Sequence, residues 1–190
     1  MKIVCIDNAL HSADDLYLSV RSDSSVLRNN DAFYMPAFSQ DMRCTVGFYL
    51  RVTRLARCMS EKFASRCYDA VGVAVAFTAQ DIVERYCVLG RPCDEAYCFD
   101  KSIALSPETV APDAVADGAL DVKIGNAEFA GNLSAVKLSL DMALVRASEL
   151  LTLKTGDIVY VAATEPFAPH IDECVEVSLC GTKLLDFQIR

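Results

Sequence analysis

The stretch DMRCTVGFYLRVTR, residues 41–54, alternates side chains in the manner of a β-strand and carries a glycine near its centre. Period-two alternation predicts a strand over residues 44–53, with Thr45 and Gly47 two residues apart on one face. A glycine inside a strand indicates a bulge or the close approach of another backbone. The function of the chain therefore depends on what lies against the face that Thr45 and Gly47 share.

Other parts of the chain are typical of a strand-rich protein. Apolar runs predict further strands at residues 2–6, 17–20, 33–35, 70–78, 120–124, 158–162, 174–179 and 183–189. Apolar spacings of three and four predict one longer helix over residues 134–151, capped by Ser134 and followed by Gly156. Shorter helices are expected at residues 60–68 and 80–88, and a surface loop at residues 106–119. The expected fold is α+β and β-dominated, a mixed β-sheet roll in a single domain, residues 1–190.

Composition excludes several classes of partner. The formal net charge of -8 and the pI near 4.7 disfavour nucleic acid and anionic membrane surfaces, because both bind basic patches. The longest apolar run, residues 70–79, is too short to span a bilayer, and the first residues are too short for a secretory signal. We therefore expect a cytoplasmic protein. The nine cysteines form no CxxC pair and are expected to be reduced thiols.

Common catalytic motifs are missing from the sequence. It contains no phosphate-binding glycine loop, no GxSxG and no HExxH. His11 and His170 are the only histidines, so a histidine-rich metal site cannot be built.

The chain as a whole resembles a known family. The similar segments, in order, are MKIVCI (1–6), FYMPAFSQ (33–40), RVTRLARCMSEKFASRCYDAV (51–71), FTAQDI (77–82), AYCFDKSIALSP (96–107), TLKTGDIVYV (152–161) and KLLDFQIR (183–190). Together they resemble the fumarylacetoacetate hydrolase family in its C-terminal catalytic domain. The resemblance implies a roll of mixed β-sheets, usually a homodimer, in which magnesium or manganese holds a keto or enol acid. Members of the family hydrolyse carbon–carbon bonds, decarboxylate or tautomerise such acids.

The residues that carry this chemistry in the family are replaced here. The resemblance places the family's two strand glutamates at Thr45 and Gly47, and its third carboxylate at Ala76. The family's lysine corresponds to Tyr97, and the histidine beside the glutamates corresponds to Arg43. Magnesium requires charged oxygen ligands in a near-octahedral array, which these residues do not supply. We therefore expect no metal and no other cofactor.

Some features of the family site remain as candidates. His11 and Asp14 match the family's lid histidine and acid in type and spacing, and are expected to be a remnant of its general-base dyad. Arg43 could bind a small organic anion with its permanent charge, or it could pair with Asp41. Tyr97 could line the pocket as an acid–base group or as a packed aromatic.

Two functional hypotheses follow. The first is a non-catalytic family member that has lost its metal site and binds a small organic acid or a protein partner, as a homodimer. The alternative is an active hydrolase, decarboxylase or tautomerase of a 2-keto or 1,3-dicarbonyl acid. In that case His11 and Asp14 would act as the base, and Arg43 would replace the cation.

Overall fold

The computed structural model of the chain describes residues 1–115, 119–125, 127–132, 136 and 138–190. Within these residues the chain forms eleven strands and two α-helices. The strands are β1 (Lys2–Ile6), β2 (Leu18–Ser22), β3 (Val26–Leu27), β4 (Met42–Val52), β5 (Tyr68–Ala79), β6 (Ile103–Leu105), β7 (Ala119–Ile124), β8 (Ala127–Asn132), β9 (Ile158–Ala162), β10 (Cys174–Leu179) and β11 (Thr182–Gln188). The α-helices are α1 (Gln80–Leu89) and α2 (Leu140–Leu150), and short 3-10 helices cover Asp23–Ser25, Glu61–Arg66, Asp94–Ala96 and Pro112–Val115.

The strands form two sheets. The first has seven strands in the order β2-β1-β9-β4-β5-β6-β3, and the second has four in the order β11-β10-β7-β8. The first sheet is mixed, because β1 pairs with β9 and β3 pairs with β6 in parallel while the other pairs are antiparallel. The sequence-based expectation of a β-dominated mixed roll is confirmed.

The connection between β2 and β3 shows that the first sheet is curled. These strands lie at opposite edges of the sheet, yet only Asp23–Ser25 separates them. In a flat sheet six strand spacings of about 4.8 Å would put the two edges about 29 Å apart. Three linking residues span at most about 14 Å. The sheet therefore curls until its edges approach each other, which creates an interior face and an exterior face.

Each face of the curled sheet has its own core. On the exterior face, Phe77 of β5 stacks on Phe33, with 3.7 Å between ring centroids, and meets Phe187 of β11 edge-on. This larger core also contains buried residues of α2 and of the second sheet. The interior face carries a separate, smaller cluster, which comprises Ile3, Cys5, Val26, Tyr49, Ala74, Ala76, Ile103, Ile158, Tyr160 and Ala162.

The predicted helices are found with shifted boundaries. The longer helix, α2, begins at Leu140, where the Ser139 side chain accepts a hydrogen bond from the Met142 amide. The predicted start at residue 134 is therefore wrong, and Ser134 itself lies outside the described residues. The region predicted as a helix over residues 60–68 is a 3-10 helix, Glu61–Arg66. The predicted helix over residues 80–88 is α1, which ends at Gly90 in the left-handed conformation.

Most predicted strands are confirmed, with three omissions and one error. The sequence analysis missed β3, β6 and β8, which are short or lack a clear apolar pattern. The strand predicted over residues 33–35 is wrong, because Phe33 makes an isolated bridge to Ile189. Among the described residues, no helix has the length and apolar character needed to cross a bilayer.

Candidate functional site

The three positions at which the resemblance places acidic ligands come together on the interior face. Thr45 lies directly opposite Ala76 in the β4–β5 pairing. Gly47 follows two residues later and lies opposite Ala74 on one side and Ala162 of β9 on the other. Positions 45, 47 and 76 therefore share one surface of the sheet, as strand alternation predicts.

The backbone at Gly47 leaves no space for a side chain. A Cβ atom built there would lie 2.0 Å from the carbonyl oxygen of Val161 and 2.8 Å from the Cα of Ala162. Both are backbone atoms of β9, so a rotamer change cannot relieve the contact. The backbone of β9 therefore lies directly against Gly47, and a glutamate at this position would force the strands apart.

The other two positions are also occupied by neutral groups. The Thr45 hydroxyl forms a 3.0 Å hydrogen bond with the hydroxyl of Tyr160, which is fully buried. Burial raises the pKa of Tyr160 well above its usual value, so this phenol is neutral. Ala76 packs in the apolar interior cluster. These positions supply no carboxylate, and the site does not fit the divalent cation that the resemblance implies.

The interior instead contains a positive side chain that the sequence analysis did not single out. On β2 the usual amphipathic pattern is reversed, because Val20 is 41% exposed whereas Ser19 and Arg21 point into the buried interior. Arg21 is 0% exposed, which is unusual for a guanidinium. A permanent positive charge therefore lies inside the curled sheet.

Arg21 connects the edge strand β2 to β5 and to the segment before β6 through its Nη1 atom. This nitrogen donates to the carbonyl oxygens of Phe77, Tyr97 and Ser102 at 2.7, 2.8 and 2.7 Å. The Nε and Nη2 atoms are buried and have no hydrogen-bond partner among the described residues. Since an unpaired buried guanidinium is costly, a nearby negative charge has a large effect on this region.

Asp7 supplies that negative charge. It follows β1, on the same face as Cys5, and accepts a 3.4 Å hydrogen bond from the Ser19 hydroxyl. Burial raises the pKa of Asp7, and the attraction of Arg21 and the Ser19 hydrogen bond only partly offset this. The same burial raises the pKa of the neighbouring Cys5 thiol to about 12, so this thiol stays protonated. Asp7 and Arg21 therefore influence each other electrostatically in the interior, without a direct ion pair between them among the contacts of the described residues.

A cavity of about 130 Å³ opens beside Asp7 at one end of the curled sheet. Its size suits a ligand well below drug size. The lining is rich in hydroxyl and other polar groups, and it comprises Asp7, Tyr17, Arg43, Cys44, Thr45, Thr78, Gln80, Tyr97 and Pro166. We refer to this space as the interior cavity. A second cavity, of about 330 Å³, lies at the opposite end, where Tyr49, Arg51 and Ile158 are among the lining residues.

Arg43 lines the interior cavity but is paired with a carboxylate of the chain. Its Nε lies 2.7 Å from Asp41 Oδ1, and its Nη2 donates to Asp41 Oδ2 at 3.1 Å. The hydrogen bonds and charge of Asp41 raise the pKa of Arg43. The pairing with Asp41 that the sequence allowed is therefore present, and anion binding by Arg43 stays a prediction.

Two tyrosines form the rim of the interior cavity. The rings of Tyr17 and Tyr97 are tilted against each other, with 5.9 Å between their centroids. Burial, and next the hydrogen bond with Tyr17, raises the pKa of Tyr97. The Tyr97 phenol is therefore neutral near neutral pH, and the Tyr97 carbonyl oxygen accepts a hydrogen bond from Arg21 Nη1.

The structure gives His11 a partner that the sequence analysis did not name. His11 Nε2 lies 3.2 Å from Oε1 of Glu165, and these side chains are 65% and 66% exposed. Glu165 precedes Pro166, which lines the interior cavity, so the pair lies near its rim. Asp14, the other half of the predicted dyad, accepts a hydrogen bond at its backbone oxygen from Arg146.

One other group of side chains has the composition of a metal site. Within the described part of the chain, Cys174, Glu176 and Asp186 on the second sheet are close enough to share a cation. The Lys183 ammonium already contacts these acids, at 2.5 Å from Asp186 Oδ2 and 3.7 Å from Glu176 Oε1. The charge of this group is thus partly balanced by a lysine, and none of its residues lines the interior cavity.

The curled mixed sheet, with its cavity at one end, defines a β-roll of the fumarylacetoacetate hydrolase type. The protein-family model for the fumarylacetoacetate (FAA) hydrolase C-terminal domain matches residues 8–172 of the sequence. The chain therefore belongs to that family. No curated protein sequence matches the chain.

Solved structures show the same fold at low sequence identity. A fumarylacetoacetate hydrolase family protein from Yersinia pestis CO92 superposes with a TM-score of 0.89 at 18% identity, covering 100% of this chain and 92% of that one. Fumarylpyruvate hydrolase from Pseudomonas aeruginosa, solved with Mn2+ and pyruvate, gives 0.88 at 14% identity, covering 100% and 89%. The 2-hydroxyhepta-2,4-diene-1,7-dioate isomerase from Mycobacterium marinum gives 0.86 at 16% identity, covering 99% and 73%.

Proposed function

We propose that this chain is a non-catalytic member of the fumarylacetoacetate hydrolase family that binds a small organic acid without a divalent metal. The observation that carries the proposal is the contact at Gly47, where the backbone of β9 occupies the space that a ligand side chain would need. Without a metal to polarise a carbonyl group, the site lacks a source of several kcal/mol of transition-state stabilisation.

The interior cavity supports an acid as the ligand. Thr45, Thr78 and Gln80 offer hydrogen-bond donors along its wall, and Arg21 places a positive charge behind it. A structural relative was solved with the small acid pyruvate in the presence of Mn2+. In this chain we assign the electrostatic attraction for the negatively charged acid to protein side chains.

Calorimetric titration tests this function. We expect pyruvate or oxalate to bind with the same affinity in EDTA as in Mn2+. Thr78→Leu should weaken binding, because it narrows the interior cavity and removes a hydroxyl. Thr109→Leu is the matched control, since it makes the same change in the cavity at the opposite end. Metal-dependent binding, or equal effects of the two variants, would refute the proposal.

A second candidate function is supported by the pair of His11 and Glu165. A histidine held by a carboxylate at the rim of a cavity is a possible general base. An active hydrolase, decarboxylase or tautomerase would turn over oxaloacetate or an acylpyruvate without added metal, and His11→Ala would abolish the reaction. Turnover that survives His11→Ala would exclude this role for the histidine.

We also propose that the chain is a homodimer, as the family resemblance implies. Light scattering after gel filtration should then give twice the chain mass of 20.7 kDa. A mass equal to one chain would refute the dimer and favour association with a different protein.

A further inference from the structure

The interior of the curled sheet holds one fixed positive charge and one titratable negative charge. Arg21 is fully buried, and its Nε and Nη2 atoms have no hydrogen-bond partner in the described part of the chain. Asp7 lies on the same interior side as this guanidinium, because Ser19 and Arg21 share the buried side of β2 and the Ser19 hydroxyl donates to Asp7, which also lines the cavity wall. A ligand in the cavity therefore lies beside Asp7, whose ionisation is influenced by the charge of Arg21.

The other groups around Asp7 are neutral near neutral pH. Burial raises the pKa of Cys5 on β1 and of Tyr160 on β9, and it also raises the pKa of Tyr17 and Tyr97 at the rim. From β2, Ser19 contributes an uncharged hydroxyl. Arg43, which also lines the cavity, has its charge matched by Asp41. With Asp7 ionised, the charges of Asp7 and Arg21 sum to zero.

Adding a carboxylate to this site changes that sum. A bound monoanion beside ionised Asp7 would leave a net charge of -1 and place two carboxylates close together, which is unfavourable because like charges repel. A proton taken up together with the ligand restores neutrality. It can be shared between the Asp7 carboxyl and the ligand carboxylate in a charge-assisted O–H···O bond, the short and strong type of hydrogen bond.

We propose that the interior cavity binds a small monocarboxylate together with one proton, with Asp7 as the proton acceptor and Arg21 as the fixed counter-charge. This inference rests on the proposed function and specifies the charge state of its ligand. The raised pKa of Asp7 in the ligand-free protein is consistent with it, since burial already favours the protonated carboxyl.

The test is calorimetry of pyruvate binding between pH 5.5 and 8.5, in buffers with different ionisation enthalpies. At pH values above the pKa of Asp7 in the ligand-free protein, we expect uptake of one proton per pyruvate. The dissociation constant should accordingly rise about tenfold per pH unit once the pH exceeds the pKa of Asp7. Pyruvamide, the uncharged analogue, should bind without this dependence on pH.

Asp7→Asn gives the sharper result. The variant should bind pyruvate without proton uptake, and more tightly than the unmodified protein at pH 8, because the ligand carboxylate is then no longer repelled by an ionised Asp7. Asp121→Asn removes the same charge from an exposed position on β7 and should leave the proton uptake unchanged.

The outcomes separate the inference from the function it rests on. Pyruvate binding without proton uptake, or an unchanged pH dependence in Asp7→Asn, would overturn the inference and leave acid binding standing. If neither protein binds pyruvate at any pH, the proposed function fails and the inference fails with it.

Discussion

Replacing Gly47 with alanine places a methyl group against the backbone of β9. The added Cβ would lie 2.0 Å from the Val161 oxygen, whereas ordinary contact begins at 3.4 Å. The strands must therefore separate locally by about 1.4 Å, the difference between these distances. The adjacent hydrogen bond from the Ala163 amide to the Val46 oxygen is now 2.9 Å long and would break.

The cost follows from these two effects. Overpacking a well-ordered core costs typically about 1–3 kcal/mol. A lost hydrogen bond costs about another 1 kcal/mol. We therefore expect Gly47→Ala to lower the free energy of unfolding by about 2–4 kcal/mol, and Gly47→Glu to cost more. Restoring the acidic residues of the family at positions 45, 47 and 76 would accordingly fail to rebuild a metal site.

Urea unfolding followed by circular dichroism measures this cost. Gly131→Ala is the matched control, because its Cβ would lie 3.6 Å from the nearest atom, the Ala163 oxygen. We expect this control to be as stable as the unmodified protein or more stable by up to about 1 kcal/mol. The reasoning is refuted if Gly47→Ala and Gly131→Ala have the same stability.

Three further predictions concern groups that hold the fold. Arg21→Met should lower the free energy of unfolding by about 3–5 kcal/mol at pH 8, because Asp7 loses its counter-charge. The loss should be smaller at pH 5.5, because protonation of Asp7 removes the unbalanced negative charge. Equal losses at the two pH values would contradict this prediction. Ser139→Ala should cost about 1 kcal/mol in urea unfolding, since it removes the cap of α2; no change would show that the cap is dispensable. Burial opposes ionisation of Asp157, but hydrogen bonds from Lys2 and Lys154 outweigh it and lower the pKa of Asp157. The stabilisation by Asp157 is therefore complete above the ordinary carboxyl pKa of 3.8, and it is lost as the pH falls through the lower pKa of the folded state. Asp157→Asn should accordingly have a lower free energy of unfolding than the unmodified protein at pH 7. In strong acid the two free energies of unfolding should become equal.

Strand positions and the interior face were predictable because they depend on local alternation. The pattern of β4 gave the shared face of Thr45 and Gly47, and the glycine itself indicated a close backbone approach. The start of α2 was misplaced because spacing continues through residues before Ser139, whereas the cap is decided by one hydrogen bond.

The burial of the charged Arg21 side chain was not predictable in the same way. Valines are usually buried and arginines are usually exposed, so the sequence of β2 would place Val20 inside and Arg21 in solvent. The structure shows the opposite arrangement. Its burial depends on the curl of the sheet, which brings the carbonyl oxygens of Phe77 and Ser102 within reach. The alternation of Ser19 and Arg21 with Leu18 and Val20 was the available signal, but it does not distinguish the inner from the outer face. Glu165 approaches His11 across 154 residues of sequence, a contact that no local pattern encodes.

Anomalous diffraction from crystals soaked in Mn2+ tests the central claim most directly. The account predicts no manganese peak on the interior face between Thr45, Ala76 and Tyr160, because that space offers hydroxyl and methyl groups and is narrowed by the contact at Gly47. An ordered manganese ion there, coordinated by Asp7 or any other acid, would contradict it.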